Sequence, residues 1–592
     1  MQGLKLSDPF NYENDIKYSK NSSVSFWNDV ATKYVHWDKM YENVYEEIID
    51  KEVWFNGGML NTCYNALDVH LNDEELREEI ALVHVCASKG LQYEISYKDL
   101  HHKVCVFSRA LKNLGIVKGD TVVIYMHNSI ELVIAMLACA RLGAIHSVVF
   151  GGYLSNSLAD RIDHCKPKIL IISNYGFVID KVHQYIPLVK KAIELTKHKP
   201  SSVIVFNRKD IQDVIEDNTS IENSLDWDNL IKNLEPLYEY VQVESTHPLY
   251  ILYTSGTTGE PKGIVRETGG HAVAINYAIR NCYGLKKKDC FFTTANIGWV
   301  SGHSFVVYGC LFSGVKSIIL EDITSDLYKH YWEIISRFKV NSSATVPAII
   351  RLMKNNDPNG DIISKLNVSF HKNIYLGGDK SHPTIINYIN NILKQSVTDE
   401  YWQTESGWGM LMYPSKQLAY RDCSVGKPMP SYNITIVNSN GEEVKSNEIG
   451  EIVVKKPLPP CFITTLYRNE ELYKKKYKSE KHGYYKTGDN GYFDDDGYFY
   501  ITSRVDNSLS ICGSMIREDS IENSINKHSM VNECSVIGVE DPVKGQVPLA
   551  FIVKNKSNCD MNNEMFEKEI NKLITEDLTV IAVIKSIVYL HH

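Results

Sequence analysis

The sequence predicts an α/β protein: a large N-terminal domain of α/β subdomains with a β-rich subdomain, then a small mobile α/β C-terminal domain. Three observations carry this expectation. The 592 residues exceed what one ordinary core encloses, so two or more domains are expected. From about residue 95 to 400, apolar runs of strand length alternate with helix-length stretches, the pattern of parallel βαβ units. After residue 420 the texture changes to short β segments separated by turn signals, and a small α/β unit closes the chain.

Taken in order, residues 1–95 read as a segment wrapping the large domain, with helical stretches around Trp27 and Trp37. A helix starts at Tyr97-Lys98-Asp99-Leu100. Strands over 121–126, 145–150 and 168–173 accompany a helix over 129–143. A second series places strands at 250–253, 290–294, 316–320, 343–345 and 373–376. Asn438-Ser439-Asn440-Gly441 and Asp494-Asp495-Asp496-Gly497 mark hairpin turns. The second lacks the ligand spacing of an EF-hand, so a turn and not a calcium site is expected. The large domain is expected over 96–504, a hinge at Asp506, and the small domain over 505–592. Within the latter, helices are expected near 518–527 and 563–576 and strands near 533–539 and 549–553.

Composition narrows the function. Apolar residues are 44% and charged residues 23%, an ordinary soluble composition. The 63 basic and 72 acidic residues give a net charge of −9, which disfavours general binding to nucleic acid or anionic membrane. No run reaches the length of a membrane span. The first twenty residues mix acids and bases around no apolar core, unlike a secretory signal or transit peptide. The 13 cysteines are scattered and form no CxxC pair, so reduced thiols and a cytoplasmic location are expected.

One run carries chemistry. Residues 253–263 read Tyr-Thr-Ser-Gly-Thr-Thr-Gly-Glu-Pro-Lys-Gly, directly after the apolar Leu249-Tyr250-Ile251-Leu252. Gly256 and Gly259 permit close backbone approach. Backbone N–H groups, the hydroxyls of Thr254, Ser255, Thr257 and Thr258, and the Lys262 ammonium suit phosphate oxygens. The spacing is not that of a Walker A loop.

This run resembles the phosphate loop of the acyl-adenylate-forming superfamily. Further runs match in the family's order. Tyr401-Trp402-Gln403-Thr404-Glu405 resembles its second core motif, Tyr485-Lys486-Thr487-Gly488-Asp489 its ribose-binding motif, and Arg504-Val505-Asp506 its hinge. Leu60-Asn61-Thr62-Cys63-Tyr64-Asn65-Ala66-Leu67-Asp68 and Gly298-Trp299-Val300-Ser301-Gly302-His303-Ser304 are similar to the short-chain branch, the acetyl- and propionyl-CoA synthetases. Arg266-Glu267-Thr268-Gly269-Gly270-His271 looks closest to the propionyl enzymes.

The resemblance implies a ligase that uses ATP, Mg²⁺ and coenzyme A. It implies that Thr254 to Gly259 and Lys262 hold the triphosphate, that Glu405 binds Mg²⁺ and that Thr404 bonds the α-phosphate. Gly378, Asp379 and Gln403 would line the nucleotide, Asp489 would accept the ribose hydroxyls, and Arg504 would contact the nucleotide. A carboxylate attacks the α-phosphorus and releases pyrophosphate; the thiol of coenzyme A then displaces AMP, with the small domain rotating between steps. Trp299, Val300, Ser301, Gly377 and Trp402 would line the acyl pocket. At the position of Gly377, acetyl-specific relatives resemble each other in carrying Val and propionyl relatives carry Ala, so propionate is the expected acid, with acetate accepted. Gly151, Gly152, Cys512 and Gly513 are the candidates for coenzyme A.

The departures lie late in the chain. Gly513-Ser514-Met515 stands where relatives carry Gly-His-Arg, with Arg517 two positions off. The sequence given stops at His591-His592, where relatives run on into a segment whose Lys serves adenylation. The small domain therefore reads as truncated. A second reading follows: a nucleotide- or acyl-adenylate-binding protein with little ligase activity, or a truncated ligase.

Overall fold

The structure, a computed structural model, describes residues 5–49, 51–178, 181–210, 221–254, 262–379, 381, 383–393, 396–414, 417–478, 483–504, 508–554 and 562–590. Among these, two large sheets make the body of the chain. The first holds seven strands. Pro248–Thr254 lies beside Ile145–Val148 in parallel and beside Lys262–Glu267 in antiparallel pairing. The second holds nine. Ser396–Tyr401, Asn373–Leu376, Ser342–Thr345, Cys290–Thr293, Lys316–Leu320 and Ile80–Cys86 run parallel in that spatial order. All five residues of Thr121–Tyr125 and of Ile169–Ser173 are buried, as expected of parallel strands covered on both faces.

The helix Ile130–Arg141 is apolar almost all round, and every residue but Glu131 is buried. Such a helix belongs inside a core, not on a surface. Ser129 caps its start by accepting from the Leu132 N–H. Its end is gripped by the wrapping segment. Arg141 pairs with Asp68 at 2.9 Å, and Asn61 Nδ2 donates to the carbonyls of Ala140 and Val241 at 2.9 and 2.8 Å. The Leu60–Asp68 run is thus a clamp on the central helix.

Earlier in the wrapping segment, Tyr277 Oη donates to buried Asp15 at 2.8 Å and Trp27 Nε1 donates to Ser431 Oγ at 2.8 Å. Trp27 lies in the helix Ser23–Tyr34 as expected, but Trp37 does not lie in a helix. The helix stops at the extended Val35, and Trp37 instead packs edge-on against Tyr41.

A four-stranded antiparallel sheet, Ile434–Val437, Gly450–Val454, Tyr485–Phe493 and Phe499–Arg504, forms the β-rich part. The hairpin turn foreseen at 494–497 joins its last two strands, with Asp494 Oδ1 accepting from the N–H groups of Asp496 and Tyr498. Beyond it lies a five-stranded sheet with the helices Glu518–Ile525 and Asn563–Asp577 and a core of its own around Ile511, Ile521, Ile552 and Phe566.

The two large sheets are joined by buried charge. Arg208, just past a strand of the first, forks onto Glu321, just past a strand of the second, with Nη2–Oε2 at 3.1 Å. Arg208 also pairs with Asp210 at 2.8 Å, and His84 Nε2 meets Glu321 Oε2 at 3.1 Å. Burial raises the Glu321 carboxyl, but His127, His84 and Arg208 outweigh it and hold the group at about 2. A pair of this kind is costly to break from one side, about 3–5 kcal/mol, because a charge stays buried alone. Arg208→Met is expected to lower the free energy of the first unfolding transition at pH 7 by that much, read by calorimetry. Because the folded carboxyl titrates below its ordinary 4.5, its contribution in the wild type is full above that pH and fades as pH falls toward 2. A stability unchanged by the substitution counts against the staple.

Candidate active site

The polar glycine-rich run is pinned at both ends to one place on the first sheet. Thr254 closes one strand and Lys262 opens the antiparallel return strand, directly opposite it. Ser255, Gly256, Thr257, Thr258 and Gly259 lie outside the described residues. Lys262 is 1% exposed, and its Nζ has no hydrogen-bond partner among the described residues. Burial and the charges of Lys476 and Arg517 pull its ammonium down to about 6, with Glu405 opposing. A buried ammonium left so is stabilised by an anion beside it. Arg517 comes from the strand Ser514–Arg517, so the small C-terminal sheet lends charge to the same place.

The turn after the strand Ser396–Tyr401 supplies the facing wall. Gln403 Nε2 donates to Asp489 Oδ2 at 2.7 Å and to Thr487 O at 2.8 Å, while Tyr485 Oη donates to Gln403 Oε1 at 3.0 Å. Tyr401 Oη donates to the same Asp489 oxygen at 2.5 Å. Tyr477 Oη donates to Glu405 Oε1 at 2.6 Å. Beneath the turn lies Arg266, with no exposed surface. Its guanidinium donates to Thr404 O, to Glu405 O at 3.2 Å and to Tyr250 Oη at 3.2 Å. Gln403, Thr404, Glu405, Asp489 and Lys262 are therefore brought to one cleft between the two sheets and the β-rich part. Arg504 stands opposite Asp489 across a strand pair, and Asp506 lies outside the described residues.

Gly378 takes φ +84°, and a Cβ there would stand in ordinary contact with the Gly513 carbonyl at 3.4 Å. Gly513, at φ +79°, fits against Val346, where a Cβ would come to 2.8 Å. Ser510 Oγ donates to Gly378 O at 3.1 Å, and Asp379 faces Arg351 at 3.5 Å and the backbone of Gly545. The turn Cys512-Gly513 of the small sheet thus sits on the edge formed by Gly378 and Asp379. Lys585 is not in this cleft; it pairs with Asp541 at 3.3 Å.

The remaining candidates lie in and beside two groups of aromatic rings. Trp299 meets Phe150 and Tyr153 at ring distances of 5.7 and 6.3 Å. Val300 and Ser301 lead into the helical stretch Gly302–Gly309, whose Phe305 meets Trp402 edge-on at 5.1 Å. The space above Gly377 is filled: a Cβ would lie 3.2 Å from Trp402 Nε1 and 3.2 Å from the Glu400 side chain. Glycine here lets the indole sit back against the backbone. Gly151 and Gly152 are also occupied positions, since side chains there would strike Tyr185 and Phe150.

Sequence reasoning gave no role to the positions that act through others: Arg266 beneath the turn and Tyr485 beside it, though both stand in quoted runs, and Tyr477 and Glu400, which it did not single out. Arg266 left a further signal, a charge inside an apolar strand pattern. Among the described residues no group of three or more His, Cys, Asp and Glu is arranged to hold a metal alone.

Comparison with known proteins gives matches over most of the chain. A family model described as AMP-binding enzyme matches residues 72–462. One described as AMP-binding enzyme C-terminal domain matches 520–591, and one described as acetyl-coenzyme A synthetase N-terminus matches 12–66. The match over 520–591 gives the truncation reading no support. The chain is 45% identical over 589 residues to "Acyl-CoA synthetase short-chain family member B, mitochondrial" of Dictyostelium discoideum, covering 98% of this chain and 85% of that one. It is 35% identical over 572 residues to "Acyl-CoA synthetase short-chain family member 3, mitochondrial" of Rattus norvegicus, covering 95% and 82%. It is 34% identical over 552 residues to "Acetyl-coenzyme A synthetase" of Pasteurella multocida, covering 91% and 82%.

Replacing Arg266 by Met leaves the Thr404 and Glu405 carbonyls short of a donor, a loss of about 1–3 kcal/mol for buried acceptors. The amides of Ser406 and Gly407, which bond Gln403 O at 3.1 and 3.3 Å, are expected to exchange with deuterium at least about tenfold faster in this variant. Unchanged protection would show that the turn stands without the guanidinium.

Proposed function

We propose, for a chain that belongs to the AMP-binding enzyme family and its short-chain acyl-CoA synthetase branch, a two-step ligase that favours propionate and accepts acetate. The enzymes of this family are AMP-forming ligases that use ATP and coenzyme A. The observation that carries the reading is the meeting of buried Lys262, whose ammonium has no hydrogen-bond partner among the described residues, with the Gln403–Glu405 turn and Asp489 in one cleft.

In this reading the triphosphate lies against Thr254 and Lys262, where a buried ammonium gains an anionic partner and its proton affinity rises. Thr404 bonds the α-phosphate, and Asp489, held by Gln403 and Tyr401, accepts the ribose hydroxyls. Gly378 and Asp379 flank the adenine and ribose, and Arg504 approaches from the strand beside Asp489. Glu405 is a hard carboxylate of the kind that holds Mg²⁺ together with substrate oxygens, and the ion would neutralise phosphate charge there. Tyr477 and Arg266 keep that carboxylate and its backbone in place.

The acid lies against Trp299, Val300, Ser301 and Trp402, and attack of its oxygen on the α-phosphorus expels pyrophosphate. Positioning and charge do most of this work. The thiol of coenzyme A then attacks the acyl carbonyl, the C–O bond to AMP breaks, and the thioester leaves with AMP. Gly151, Gly152, Cys512 and Gly513 frame the approach of coenzyme A, with the small domain turning about Asp506. The twelve described cysteines are unpaired, which suits a reducing compartment such as the cytoplasm.

AMP release by the purified chain with ATP, Mg²⁺ and coenzyme A is the direct assay. It is expected to require a short carboxylate and to peak at propionate. Glu405→Gln is expected to lower kcat by about 10²-fold or more, as for loss of a charge-stabilising group. ATP binding without AMP formation under any acid would favour the binding-protein reading. Gly377→Ala would press on Trp402 and Glu400 and drive the indole into the pocket. The ratio of kcat/KM for butyrate over acetate is expected to fall about tenfold, the effect of one methylene in an apolar pocket. A ratio left in place would remove Gly377 from the account of specificity.

A further inference from the structure

Behind Trp402 lies a carboxylic acid that the reaction does not use. Glu400 is on the strand Ser396–Tyr401, two residues before the indole, and is 5% exposed. Its Oε1 accepts from Trp402 Nε1–H at 3.0 Å, and its Oε2 accepts from Tyr283 Oη–H at 2.5 Å. Tyr283 is fully buried and is itself fixed. Tyr375 Oη donates to its carbonyl at 3.1 Å, and its ring lies 4.5 Å from that of Tyr375 and 4.8 Å from that of Phe305. Both partners of the acid are neutral, so nothing among its hydrogen bonds offsets a buried negative charge. Burial accordingly pushes its carboxyl up to about 7, with Tyr283 and Trp402 drawing it down. An apolar residue of similar size would suit such surroundings better, unless the hydrogen bonds themselves are what the position supplies.

Trp402 shows what they supply. The indole is only partly buried. Among its contacts in the described residues are the ring edge of Phe305, the bare backbone of Gly377 and the Glu400 oxygen. The first two limit how far the ring moves back; only the third is directional and fixes its rotation.

We propose that Glu400 is the residue that sets the chain-length limit of this enzyme, by holding Trp402 Nε1 so that the indole closes the acyl pocket at one depth. Tyr283 orients the acid for that task. Loss of the hold frees the ring to turn aside and lengthens the pocket. The proposal rests on the reading of Trp402 as a pocket wall, so its test carries one measurement of the acid profile and one of the ring itself.

The variants are Glu400→Leu, Glu400→Gln and Tyr283→Phe in the full chain, with Trp402→Phe as the reference for fluorescence. AMP formation is measured with acetate, propionate, butyrate and hexanoate. In Glu400→Leu the ratio of kcat/KM for hexanoate over propionate is expected to rise at least about tenfold, while KM for ATP stays within about twofold. In Glu400→Gln the amide oxygen still accepts from the indole, and the ratio is expected to stay within about twofold of wild type. Tyr283→Phe removes one hydroxyl and is expected to shift the ratio the same way as Glu400→Leu, by about threefold. It serves as the deciding variant where Glu400→Leu does not fold. The Trp402 fluorescence, taken against Trp402→Phe, is expected to become more accessible to acrylamide in Glu400→Leu and Tyr283→Phe and not in Glu400→Gln.

A folded Glu400→Leu, or Tyr283→Phe in its place, with the wild-type acid profile overturns the proposal. So does a Gln variant that shifts as far as Leu. An inactive wild type would sink the ligase reading instead, and quenching would then decide: equal accessibility in wild type and variants overturns the hold on Trp402.

Discussion

Everything in the cleft depends on one buried cation. Arg266 places a guanidinium under the turn Thr404–Glu405 and ties it to Tyr250 and so to the first sheet. The turn follows a strand of the second sheet, so this side chain sets the distance between the groups that the two sheets contribute. A planar fork with several donors suits two adjacent carbonyls in a way that a lysine does not. Among the described residues no carboxylate is in its hydrogen bonds, and backbone dipoles share the load of its buried charge. The Arg208–Glu321 pair performs the same joining role at another point between the sheets, with full charges on both sides.

The sequence was a good guide wherever information is local. The strands at 316–320 and 373–376 are found where their apolar runs placed them, and the helix Tyr97–Asn113 starts at the expected residue. The motif runs also led to residues that share one cleft, because each is short and keeps its own neighbours. What was not legible is the long-range set. Nothing around Glu400 announces that its oxygen faces a tyrosine 117 positions away, and nothing near Gln403 announces Asp489, 86 positions on. Trp37 misled for a related reason: an aromatic residue after a helical stretch looks like its continuation until the extended Val35 ends it.

Glycine carries two different messages here. At Gly378 and Gly513 it meets positive φ and a close approach between the large and small parts. At Gly377 no special torsion is involved, and what matters is the volume surrendered to an indole. The first kind is a backbone requirement; the second is a way of tuning a cavity from beneath, and sequence alone does not separate them.

The contact of the Cys512-Gly513 turn with Gly378 and Asp379 has a kinetic consequence. The edge of the cleft at Gly378 and Asp379 is not one wall; one side of it belongs to a body with its own core. A molecule caught at that edge departs no faster than the two faces part. The ease of that parting is thus written in a few atoms, the Ser510 hydroxyl on the Gly378 carbonyl and the Val346 side chain against Gly513 among them.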